Sequence, residues 1–141
     1  MDIIATTLTE IWETSRQNKY TWMLPSVLAF GFVVLVLAAW IKKSDLRRVV
    51  KIFAFLGLSY LAMEASYWQI AEKWQIRHDW GEQNQALLSE RDKNALIADG
   101  ANLLMGPVLV GGKWALLVFG AALVVSSCIV RGRSENSSAE D

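Results

Sequence analysis

Residues 22–41 read WMLPSVLAFGFVVLVLAAWI, and Lys42 and Lys43 follow at once. The run Met23–Ile41 carries no charge and has a Trp near each end. Trp22 and Trp40 would stand about 27 Å apart on a helix rising ~1.5 Å per residue, close to the roughly 30 Å hydrocarbon core of a bilayer. An uncharged run of that length, aromatic at both ends and basic after one of them, is the pattern of a membrane-spanning helix. Pro25 falls in the first turn, where its missing N–H costs nothing.

Composition agrees with this solvent. The chain has 141 residues, 53% hydrophobic and 20% charged, with a formal net charge of zero. Its apolar residues are gathered in uninterrupted runs and its charges in the short segments between them, which fits one small polytopic unit. The balanced charge gives no support for nucleic-acid binding. The single Cys128 excludes an intrachain disulfide and a cysteine-based metal cluster, and reads as a small buried hydrophobe. The N-terminus lacks the pattern of a cleaved secretory signal, so the first residue is expected to be retained.

The expected fold is an all-α membrane protein with three transmembrane helices, an N-terminal amphipathic surface helix and a short helical extramembrane segment. Residues 1–21 form the surface helix, with Ile4, Leu8, Ile11 and Trp12 at helical spacing. Residues 22–41 are the first span, 42–51 a basic connector and 52–70 the second span. Residues 71–112 are a polar, helical segment outside the membrane, broken near Asp79–Gly81, and Gly106–Pro107 and Gly111–Gly112 argue against regular helix at its end. Residues 113–130 are the third span, and 131–141 a disordered tail.

Threading follows from basic residues. Lys42, Lys43, Arg47, Arg48 and Lys51 crowd the first connector, which places it in the cytoplasm and suits contact with lipid headgroups. Three spans then put the N-terminus and residues 71–112 outside and the C-terminus inside. The expected location is the cell (inner) membrane, with Trp22, Trp40, Trp68 and Trp114 as interfacial anchors.

Few residues promise chemistry. Glu64 lies inside the second span, four residues from both Tyr60 and Trp68. A carboxylate there marks either an ion path or a packing partner, with a hydrogen bond to Tyr60 or a neighbouring span expected. His78 and Glu82, four apart, offer two ligands of a metal, a weak signal in a chain with one His. The glycines at 106, 111 and 112 match no phosphate-binding pattern and read as turn residues. Ala62/Ser66 and Ala122/Ser126 are small pairs that suggest a packing seam between the second and third spans. No haem, quinone, retinal or nucleotide signature is present, and no cofactor is expected.

The function expected first is a non-catalytic accessory or structural subunit of a larger membrane complex, with the lipid bilayer and other membrane subunits as partners. Two alternatives belong to other classes: a homo-oligomeric pore or small transporter using Glu64, and a membrane enzyme with a metal at His78 and Glu82.

Overall fold

The computed structural model describes residues 7–138, with side chains described through residue 132. Among the described residues every regular element is helical, and three helices are long and apolar enough to cross a membrane.

The first helix, α1, is Leu8–Thr14. It is shorter than the surface helix expected over 1–21, whose first six residues, Ile4 included, lie outside the described residues. A capping box starts it: Thr7 Oγ1 accepts from the Glu10 N–H and Glu10 Oε2 accepts from the Thr7 N–H. Ile11 is buried.

The second helix, α2, is Met23–Leu37, tightened into a 3₁₀ turn at Ala38–Trp40. The third, α3, is Ser44–Gln83. Only Ile41–Lys43 separate them, so the connector expected over 42–51 is largely helix, and Arg47, Arg48 and Lys51 ride on its first two turns. At ~1.5 Å per residue α3 is about 60 Å long, twice a bilayer's core. It passes through Asp79–Gly81 without the expected break. Gly81 is a packing residue: a Cβ there would meet Leu96 Cδ1 at 2.7 Å. The helix stops at Asn84, whose side-chain N–H₂ donates back to the Trp80 carbonyl.

After a short 3₁₀ turn at Gln85–Leu87, α4 (Glu90–Pro107) folds back along the C-terminal half of α3. It does not end in an irregular segment. A π-helical turn, Val108–Gly112, joins it directly to α5 (Lys113–Ser138). Pro107 has no N–H to give to a regular ladder, and a wider turn next to it is a common accommodation. Of the glycines expected to form a turn, Gly106 and Gly111 serve close approach and Gly112 faces open space: a Cβ on Gly111 would lie 2.5 Å from the Ala62 carbonyl oxygen and 2.6 Å from Met63 Cα. The tail expected to be disordered is helical through Ser138, and residues 139–141 lie outside the described residues.

α2, α3 and α5 pack as a bundle around Leu24, Leu35, Leu58, Ala62, Ala65, Ala115 and Ala122. The Phe55 and Phe119 rings sit 4.5 Å apart, and with the Gly111–Ala62 contact this fixes α3 and α5 as antiparallel and sets their register. Ala62, Ser66, Ala122 and Ser126 are all buried, and Ala62 and Ala122 belong to the same core, at different depths of the bundle. Ala62 backs onto Gly111, and Ala122 lies three helical turns further along α5. Neither Ser66 Oγ nor Ser126 Oγ has a hydrogen-bond partner among the described residues.

Candidate functional site

Three groups of polar side chains stand out. The first was not visible in the sequence. Arg77 is buried where α1, α3 and α4 meet, and each of its three nitrogens donates a hydrogen bond. Its Nη1 pairs with Asp99 Oδ2 at 2.9 Å, its Nε donates to Ser15 Oγ at 2.8 Å and its Nη2 donates to the Trp12 carbonyl at 3.2 Å. The guanidinium carbon lies 3.8 Å from the centre of the Trp12 ring, within cation–π range. Asn102 Nδ2 donates to the other Asp99 oxygen. A buried pair with this many bonds fixes geometry, because either partner alone would be an uncompensated charge. Burial, and the Arg77 charge one turn away, hold the Lys73 ammonium below its ordinary value. Lys19 is held above its own by the Glu72 carboxylate 3.1 Å away.

The second group lines a cleft of about 900 Å³ between the end of α3 and α4, within the size range of small-molecule pockets. Trp74 and His78 form one wall, their rings 4.8 Å apart, and Leu88, Leu96 and Ile97 supply apolar surface. His78 Nδ1 is 3.7 Å from Glu82 Oε1, so the unbroken helix does bring this pair together. No set of three or more His, Cys, Asp or Glu side chains is placed to hold a metal among the described residues. Neither Glu72, Glu90 nor Asp79 joins the pair as a third ligand: Glu72 is bonded to Lys19 and Glu90 to Lys93.

The third group lies within the apolar helices. Trp68 Nε1 donates to Glu64 Oε1 at 2.9 Å, and this bond replaces the one expected to Tyr60, which is 64% exposed. Glu64 stands on the side of α3 opposite the buried Leu58, Ala62 and Ala65, in a stripe with Phe53, Gly57 and Tyr60. It points away from its own bundle. Because α4 runs on into α5, Lys113 does not open an apolar helix. It interrupts one, with Leu103–Gly112 before it and Trp114–Val130 after. The apolar stretch on both sides was the available signal, and the glycine pairs hid it. Lys113 is exposed, opposite the buried Ala115 and Ala122, and has no acidic partner among the described residues.

The chain matches no family model, no curated protein and no solved structure.

The expected anchors fall at both ends of the bundle. Trp22 and Trp68 share one end, where Tyr20 at the foot of α2 packs 5.8 Å from the Trp68 ring. Trp40 is at the other end, beside Lys42, Lys43, Arg47, Arg48 and Lys51, and the register of α3 and α5 brings Arg131 there too. Trp114 departs from this pattern. It follows Gly111 by three residues and so lies level with Tyr60, about two turns inward of Trp68.

Proposed function

We propose that this chain is an integral membrane protein that serves as a non-catalytic structural subunit of a larger membrane assembly. On this reading α2, α3 and the α4–α5 rod are its three spans. The basic α2–α3 turn and Arg131 face the cytoplasm of the inner membrane, and α1 with the α3–α4 hairpin stands outside. The clustering of basic residues at one end supports that orientation.

The observation that carries the subunit reading is the direction of Glu64. An acid inside a span costs up to roughly 2.5–3.5 kcal/mol at the bilayer centre and less toward the interface, and such residues face a protein interior or a water-filled cavity; Glu64 is one turn inward of Trp68. Here the interior of the chain's own bundle is on the other side, and among the described residues only the Trp68 N–H reaches the carboxylate. A span from another subunit covering the stripe Phe53–Gly57–Tyr60–Glu64 restores the rule. The test is sedimentation of the full-length chain in mild detergent. Wild type is expected as a large particle and Glu64→Leu as a released, still membrane-inserted monomer. A wild-type monomer overturns the reading.

A further inference from the structure

We infer that the span covering Glu64 is α5 of a second copy of this chain. The inference rests on the subunit reading above and names its partner. Lys113 supplies the complementary charge. It is exposed on the outward side of α5 and lacks an acidic partner among the described residues. Glu64 is on the outward side of α3, bonded among the described residues only to Trp68. The two charges point away from one shared bundle on different helices, so the contact that joins them runs between chains.

Depth supplies a second argument. Copies related by rotation about the membrane normal keep every residue at its own depth, so the register of α3 and α5 within one chain is also the register between chains. Gly111 is level with Ala62 and Met63, which puts Lys113, two positions on, level with Leu61. A helical side chain leans toward the N-terminus of its helix. That direction carries the Lys113 ammonium outward, while the Glu64 side chain leans inward along the antiparallel α3, so the two charged ends meet between the depths of Leu61 and Glu64.

Shape matches at two further depths. Phe119 is level with Phe55, so Leu117 is level with Gly57, and Gly120 with Ala54, beside Phe53. A Cβ added at Gly57 or Gly120 would meet nothing within 4 Å, so each leaves a notch on the outward surface. Leu117 and Phe53 are 53% and 70% exposed knobs at those same two depths. Phe53, Gly57 and Glu64 share one face of α3, and Lys113, Leu117 and Gly120 one face of α5, by helical spacing. Small residues opposite large ones allow the close approach on which association in lipid depends. One copy offers α3 and the next offers α5, a head-to-tail contact that generates a ring when its rotation closes.

The test uses the full-length chain with Cys128→Ser. A copy carrying Gly57→Cys and a differently tagged copy carrying Leu117→Cys are co-expressed and oxidised in native membranes. A disulfide-linked dimer bearing both tags is expected from this pair and is expected to be lost when Val33→Cys, an exposed α2 position at similar depth, replaces Leu117→Cys. In parallel, Glu64→Lys and Lys113→Glu should each reduce the particle to a monomer, and the double exchange should restore it. If a charge variant fails to insert, the cross-link, made in chains with both charges intact, decides alone. A larger particle holding only one copy of this chain overturns self-assembly and leaves the subunit reading standing. A wild-type monomer overturns both.

Discussion

Arg77 and Asp99, 22 positions apart, form an ion pair at 2.9 Å with side chains only 3% and 7% exposed. The pair ties α3 to α4, and the remaining Arg77 donors reach back to Trp12 and Ser15 and hold α1 in place. The part of the molecule outside the apolar bundle is thus organised around one guanidinium.

Removing one member of that pair should leave the other buried and unpaired. Arg77→Ala and Asp99→Ala are each expected to destabilise the hairpin by about 3–5 kcal/mol. Arg77→Lys should not rescue, because an ammonium cannot serve three acceptors in a fixed plane. Denaturation in detergent, followed by fluorescence in a variant that keeps Trp12 and Trp80 and carries Phe at the other five Trp positions, measures this.

Gly111→Ala should be far more damaging than Gly112→Ala, although the two glycines are adjacent. The first places a methyl group against the backbone of Ala62 and Met63, which cannot move aside, and the second meets open space. Overpacking of this kind costs about 1–3 kcal/mol, whereas the second change should fall within about 1 kcal/mol of wild type. Thermal unfolding of the two variants side by side decides it.

The start of α4 should respond to acid. Ser89 Oγ and the Ser89 N–H both donate to Asp92, which holds its carboxyl below the ordinary value of 3.8. A depressed acid binds its proton more readily in the unfolded chain, so the cap is intact above pH 3.8 and lost as the pH falls through the folded value. Hydrogen exchange at the Asp92 amide, which donates to Ser89 Oγ, should lose protection over that window. Ser89→Ala should lack the step.

The proposed threading makes its own demand. In intact cells an impermeant maleimide should label Glu82→Cys in the outer hairpin and leave Lys43→Cys unlabelled until the membrane is opened, with Cys128→Ser as the background. The reverse pattern inverts the orientation.

The helices were legible where local pattern and solvent agree. The charge-free run Met23–Ile41 and the apolar stretch after Lys51 needed nothing but length and hydropathy. The third rod was obscured because Gly106, Pro107, Gly111 and Gly112 signal turns locally, while here a π-helical turn absorbs Pro107, and Gly106 and Gly111 admit Ile70 and the Ala62 backbone. Lys113 was misplaced for the same reason. Arg77 was hidden differently: Ser15 and Asp99 are 62 and 22 positions away, and no spacing rule connects them. For Glu64 the residue was visible, but the side of the helix it occupies depended on which residues pack.

Native mass spectrometry of the full-length protein, released from lipid nanodiscs without prior detergent, tests the subunit reading most directly. The chain alone has a mass of 15.8 kDa. The account requires a particle heavier than that, shrinking to a single chain when Glu64 is replaced by Leu. A wild-type particle with the mass of one chain would contradict it.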